Sequence, residues 1–340
     1  MLRRKYLPFA GITLALCLVA LGAYLADWRS IAHSLAGADM RLVLLSIPFL
    51  TGTFIVFAVR WARLLAVETP PPPAELFRFL MIGYFANAIL PARPGDVVRA
   101  VLLRRTHGID MSIGLASIVL ERIVDLTAVC GLGLALSFLI PLPAPILSAV
   151  YIVSAGMLTL LATMVAIQRW RGTFRQFASR LPRLFDYRPL RHALDWLGQF
   201  LTGISIAASP RRLLASVALT VLGWIFLIAF MASLVAAFHL PVPWSAALLV
   251  LIATNLGALM PLSPGAVGVY HLMAVLALAL WQVDTSTAIA FSIGSHAVAI
   301  GLHVAFGSAC IWLQGMQVAG IVRLSRAGAE GDPAGSGKLS

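Results

Sequence analysis

Charge is what this chain has little of. Of its 340 residues only 11% are Asp, Glu, Lys or Arg, 60% are hydrophobic, and the mean hydropathy is +0.94. A soluble domain carries about 25% charged residues, so an ordinary water-exposed surface cannot be built from this composition. Cysteine is also scarce. Cys17, Cys130 and Cys310 each sit inside an apolar run, which argues against a disulfide framework or a thiolate metal cluster and for packed, inert thiols. Catalytic signatures are missing too: the chain has no G-x-S-x-G, H-E-x-x-H, paired-cysteine or nucleotide-binding motif. No catalytic residue, metal or cofactor is expected from these residues, and a non-enzymatic role is the reading they support.

Long apolar runs are what the chain has in abundance. A helix needs about 20 apolar residues to cross a bilayer, and Tyr6–Ala26, Leu42–Val59, Ile113–Ile140, Ile146–Ile167, Leu213–Phe238 and Ala288–Leu313 approach or exceed that length. The expected fold is an all-α polytopic membrane protein with about six full spans, forming one transmembrane domain over residues 1–326. The first run is longer than the apolar core of a cleaved signal, so a retained helix is expected. The net charge of +12 collects at the borders of the runs. Arg3, Arg4 and Lys5 place the N-terminus in the cytoplasm, the loop Asp27–Arg41 outside, and the C-terminus in the cytoplasm. Residues 168–212 hold nine arginines interleaved with aromatics. They read as a basic amphipathic linker on the inner leaflet rather than a nucleic-acid site. Residues 327–340 are rich in Gly, Ala and Ser and are expected to be disordered.

Two stretches break the apolar pattern. Leu90–Arg99 reads LPARPGDVVR, too rich in proline, glycine and charge for a lipid-facing helix. It follows a helix expected from Ala74 to Leu90, behind the proline connector TPPPPAEL, and precedes a short arm, Val97–Leu103. Irregular backbone at membrane depth is tolerated where it is buried in protein or lines a wet cavity. The second stretch, Pro261–Val267 or PLSPGAV, matches Pro91–Val97 or PARPGDV as P-x-x-P-G-x-V, 170 residues later. An apolar span precedes and follows each. Two broken, re-entrant hairpins are therefore expected at Pro91, Pro94 and Gly95 and at Pro261, Pro264 and Gly265, within repeat halves of about 40–140 and 211–313. The charge-derived parity makes those halves inverted, a design that recurs in transporters.

The two hairpins differ in chemistry. Arg78, Arg93, Asp96 and Arg99, with Asn87, belong to the first. The second has no charge and offers Asn255, Ser263, Tyr270 and His271. Net positive charge at a helix break suits an anionic group such as phosphate, which arginine grips with paired donors. In the span from Ile113, the segment LERIVDL supplies Glu121, Arg122 and Asp125, with the two carboxylates four apart on one helix face. Ionisable residues inside a span face a cavity or a partner, so these three either serve the same path or pair with the hairpin arginines. His296 and His303, seven apart, read as packing or hydrogen-bonding residues.

In order, RWARLL, NAILPARPGDVVRAVLLRR, ERIVDL and LMPLSPGAVGVY resemble the lysylphosphatidylglycerol synthase transmembrane region family, the flippase-like domain, over nearly the whole chain. The resemblance implies a lipid-handling membrane protein of the bacterial cytoplasmic membrane. It carries over to Arg60, Asn87, Pro91, Arg93, Gly95, Arg99, Glu121, Arg122, Asp125, Pro264 and Gly265. Asp96 stands where glutamate is usual, and Tyr270 and His271 replace a basic–acidic pair. No synthase domain follows residue 340, so this is expected to be a stand-alone member that does not transfer aminoacyl groups. The leading expectation is a translocase for an anionic phospholipid or lipid-linked sugar, with Arg93 and Arg99 on the phosphate. Two alternatives stay open: a non-transporting anchor for a pathway enzyme, and an embedded lipid transferase with Glu121 as base. A pathway enzyme and a second copy of the chain are the protein partners considered.

Overall fold

The structure is a computed structural model that describes residues 27–91, 93–142, 144–169, 198–203, 209–258, 263–317 and 320–324. Its main helices are α1 (Trp28–Ala36), α2 (Met40–Leu64), α3 (Pro73–Ile89), α4 (Gly95–His107), α5 (Met111–Ser137), α6 (Ala144–Arg169), α7 (Pro210–Ala237), α8 (Trp244–Ala258), α9 (Val269–Ala279) and α10 (Thr285–Leu313). A short 3-10 turn, Pro264–Ala266, lies between α8 and α9. The protein is an all-α polytopic membrane protein.

Short polar residues set where the helices begin. The carboxylates of Asp27, Asp39, Asp110 and Asp284 accept the first free amides of α1, α2, α5 and α10, satisfying donors that have no partner within the helix. Pro73 opens α3, where its missing N–H costs nothing. Gly108 ends α4 in the left-handed region at φ 65°. Helix α1 lies within the stretch read as an external loop. Its buried Ile31 seats it on the bundle, and nine residues are too few to show as an apolar run.

Five of the six expected spans appear as unbroken helices of 25 to 29 residues: α2, α5, α6, α7 and α10. At about 1.5 Å per residue each exceeds the roughly 30 Å hydrocarbon core. Three of them, α2, α7 and α10, are also apolar enough to cross a membrane by length and composition. The sixth, Tyr6–Ala26, lies outside the described residues, as do most of the basic linker 168–212 and the whole tail 327–340. On α7 the exposed side chains Leu214, Val217, Val221 and Ile225 form one stripe, an apolar outer face that fits lipid and not water.

The element order repeats. Met40 and Pro210 open α2 and α7, 170 residues apart, and Pro73 and Trp244 open α3 and α8, 171 apart. Helix α2 packs along α7. The Asp39 amide donates to the Ala237 carbonyl at 2.8 Å, the Thr53 hydroxyl to the Gly223 carbonyl at 3.4 Å, and Arg60 Nη1 to Thr220 Oγ1 at 3.0 Å. Numbers rise on one helix as they fall on the other, so the pair is antiparallel. Around it, α3 packs on α4 and α10, α8 on α9, and α9 on α10.

Candidate functional site: two helix breaks around one cavity

The charged residues of the first half gather where α2, α4 and α5 meet. Arg60 grips Asp125 with two nitrogens, at 2.5 and 3.0 Å, and lies 3.6 Å from Glu121. Arg99 holds Glu121 at 2.7 and 3.4 Å. Arg122 donates to Asp96 at 2.9 Å. The guanidinium of Arg60 lies 4.2 Å over the Phe57 ring and that of Arg99 4.0 Å over Trp61, faces that favour a cation. Trp61 is fixed in turn by Ser117, which accepts from its indole N–H at 2.9 Å. Arg60, Arg99 and Glu121 are 0–1% exposed. A charge at the centre of a membrane helix costs about 2.5–3.5 kcal/mol on insertion scales, and here three arginines meet three carboxylates, so the cluster is neutral within itself.

Arg93 is different. Unlike Arg60, Arg99 and Arg122, it forms no ion pair among the described residues. It sits in the break between α3 and α4 with φ 52°, a left-handed conformation that costs a non-glycine residue about 1–2 kcal/mol. Its guanidinium crosses to the second hairpin and donates to the Ala258 carbonyl. The break is held by Asn87, whose side-chain oxygen accepts the Gly95 amide at 2.8 Å. Gly95 has no room for a side chain, because a Cβ there would stand 2.0 Å from the Gly83 carbonyl oxygen.

The second break answers the first across a cavity of about 190 Å³. Tyr84, Asn87, Ala88 and Arg93 line it from the first hairpin, Ala258, Ser263, Gly265, Ala266 and Tyr270 from the second, and His296, Ala299, Ile300 and His303 from α10. Here the chain turns at Gly265, φ 60°, and Ala266, φ 59°. Ser263 donates to the Val267 carbonyl at 2.6 Å and closes the turn. His296 Nε2 meets the Gly265 carbonyl at 2.9 Å, while its Nδ1 lies 3.4 Å from His271 Nε2. His271 Nδ1 is 3.2 Å from the Ser292 hydroxyl, and Tyr270 is 3.1 Å from that of Ser295. The Tyr270 ring also stacks on His296 at 4.3 Å.

The residues singled out in the sequence thus divide into two groups. Asn87, Arg93 and Ser263 line the cavity, and His271 stands one hydrogen bond behind it. Arg60, Asp96, Arg99, Glu121, Arg122 and Asp125 form the ion cluster, so Arg99 is engaged with Glu121 and does not line the cavity beside Arg93. Asn255 turns back onto its own helix, donating to the Leu251 carbonyl at 2.8 Å. Pro91, Pro94, Gly95, Pro264 and Gly265 fall at the breaks, and Pro261 lies outside the described residues. Tyr84 was missed, as were the cavity positions of His296 and His303. Tyr84 lies three residues before Asn87, hence on its helix face, a signal the surrounding apolar residues conceal.

The model of the lysylphosphatidylglycerol synthase TM region matches residues 9–307. A protein of Haloferax volcanii named Glycosyltransferase AglD is 24% identical over 87% of this chain and 52% of its own length; the chain therefore spans about half of that relative. A UPF0104 membrane protein of Methanothermobacter thermautotrophicus is 24% identical over 68% of this chain and 71% of its own. One from Methanocaldococcus jannaschii is 33% identical over 24% of this chain and 36% of its own. With a family match running from the first apolar run into α10, over the ion cluster and both breaks, the chain belongs to the lysylphosphatidylglycerol synthase transmembrane-region family.

Proposed function

We propose that this protein is a translocase that moves an anionic phospholipid or lipid-linked intermediate between leaflets, the headgroup passing between the two helix breaks. The observation that carries this reading is Arg93, a cation that forms no ion pair among the described residues, at a cavity lined by both breaks. A lone arginine among tyrosine, serine and histidine side chains suits a phosphate oxygen and neighbouring hydroxyls. The two helix–break–helix units are re-entrant and form an inverted repeat, a reading supported by the 170-residue recurrence and the antiparallel run of α2 and α7. Opening toward opposite faces of a cytoplasmic membrane, they give the cavity alternating access, with both chain termini in the cytoplasm.

A transferase reading fits less well. Both oxygens of Glu121 are engaged by arginines, which leaves this carboxylate poorly placed as a base. The relative named a glycosyltransferase favours a lipid-linked sugar among the substrates. The test is leaflet exchange in liposomes holding the full chain and headgroup-labelled phosphatidylglycerol, phosphatidylcholine or a polyprenyl-phosphate sugar. Exchange of an anionic lipid, lost in Arg93→Ala while the fold persists, is expected. Exchange that ignores Arg93→Ala, or none for any of the three lipids, overturns the reading.

A further inference from the structure

Backbone groups at Gly95 and Gly265, 170 residues apart, are each tied by one side chain, but the ties differ in kind. Asn87 accepts from an amide and cannot titrate. His296 meets a carbonyl and can. A carbonyl only accepts, so His296 Nε2 must carry a proton. The 3.4 Å contact between His296 Nδ1 and His271 Nε2 then needs one proton between the rings.

What remains is decided by Ser292. Its hydroxyl has one proton and two neighbours, the Ile289 carbonyl at 2.8 Å and His271 Nδ1 at 3.2 Å. If the proton goes to His271, the two rings hold two protons and are neutral. If it stays on the closer Ile289 carbonyl, His271 Nδ1 must donate to the hydroxyl oxygen. The rings then hold three protons and one positive charge. The two patterns satisfy the same ring contacts and differ by one proton and one hydroxyl rotation.

We propose that His271 and His296 form a single-proton site built into the second break, and that its proton is taken up together with an anionic phosphate group in the cavity. This rests on the translocase reading and supplies its coupling ion. The titratable and charged groups facing the pair are Tyr270, stacked on His296, His303 one side of the cavity away, Tyr84, and Arg93 from the first break. Among the described residues none of those groups is a carboxylate. In the empty cavity Arg93 opposes a second cation. A phosphate beside Arg93 offsets both charges, so anion and proton favour each other, and by linkage the effect is reciprocal. The proton bound with the headgroup on one side is released with it on the other.

The test uses the full chain with nitrogen-labelled histidine, reconstituted in phosphatidylcholine vesicles and followed by NMR across pH. It is run alone, with dihexanoylphosphatidylglycerol and with inorganic phosphate, and the signals are assigned from His271→Gln and His296→Gln. In His296→Gln the amide still donates to Gly265, so the turn keeps its tie while the proton site is lost. The expected result is one cationic ring shared by the pair, appearing about one pH unit higher with the lipid, a tenfold gain in proton affinity, and a lipid effect absent in Arg93→Ala. An equal rise with inorganic phosphate assigns the effect to the phosphate itself; a rise with the lipid alone assigns it to the whole headgroup. Two rings that titrate independently, or stay neutral while the lipid still binds, overturn the proton site and leave the anion site standing. A shared proton that neither anion moves overturns the linkage and, with it, Arg93 as the anion site.

Discussion

In the first hairpin the break between Ile89 and Gly95 is packed against buried ion pairs, whereas the break after Ala258 has no charged residue and is held by a histidine from α10. The motif is the same, P-x-x-P-G-x-V, and the neighbouring helices correspond one to one. What differs is how each break is stabilised. Arg99 and Asp96 on α4 reach α5, locking the arm after the first break to a span by charge. The arm after the second break reaches α10 through single hydrogen bonds, Tyr270 to Ser295 and His271 to Ser292. The first hairpin is therefore expected to be the rigid wall of the cavity and the second the side whose geometry shifts.

Removing the charge lock is expected to have the largest effect. Glu121→Ala strands the buried Arg99 and leaves Arg60 with Asp125 alone, and breaking a buried pair from one side costs about 3–5 kcal/mol. Unfolding in mixed micelles is expected to show a loss of that order, or little folded protein at all. Gly95→Ala comes next. Its Cβ would collide with backbone, the Gly83 carbonyl oxygen, so α3 and α4 must separate. Severe overpacking costs about 3 kcal/mol, to be read from the same unfolding curve. A Gly95→Ala protein as stable as the parent breaks the picture of a rigid first wall.

A paired substitution sharpens the contrast at a smaller scale. Asn87 and Asn255 both sit near the end of the helix that leads into a break, yet only Asn87 spans one. Asn87→Ala leaves the Gly95 amide without its acceptor, a loss of about 1–2 kcal/mol. Asn255→Ala removes a bond to a carbonyl of its own helix and introduces the better helix former, so its expected cost is near zero. Equal losses at the two positions, measured by chemical denaturation, would mean that the second break leans on Asn255 after all.

Much of the architecture was legible because membrane helices write themselves as length and hydropathy. Both Pro-Gly breaks were legible because proline and glycine end helices for local reasons. The pairing within the site was not. That Glu121 and Asp125 share a face follows from their spacing, but that Arg99 turns to Glu121 while Arg93 turns to Ala258 depends on how α4 rotates against α5. The close contact between Gly83 and Gly95 fixes α4 against α3, and no periodicity reveals either packing. His296 and Tyr84 were hidden for a similar reason: each lies on a largely apolar helix, and only assembly shows that both face the same cavity.

The smallest expected difference between paired variants isolates Arg93 itself. In the first break the left-handed residue is Arg93, φ 52°, while in the second its counterpart Ser263 is extended at φ −145° and the left-handed turn falls on Gly265 and Ala266. An arginine held in that region stores strain that a glycine does not. Arg93→Gly and Arg93→Ala remove the same guanidinium, so both are expected to abolish exchange of an anionic lipid. They differ in backbone alone, and Arg93→Gly is expected to be the more stable by about 1 kcal/mol. Unfolding curves of the two variants, read beside their exchange rates, separate the cost of the conformation from the use of the charge. A glycine that gains stability while transport stays lost would mean the strain is tolerated for the guanidinium it positions. A glycine no more stable than alanine would mean the break relaxes when the charge is gone, and that Arg93 holds the turn as well as the ligand.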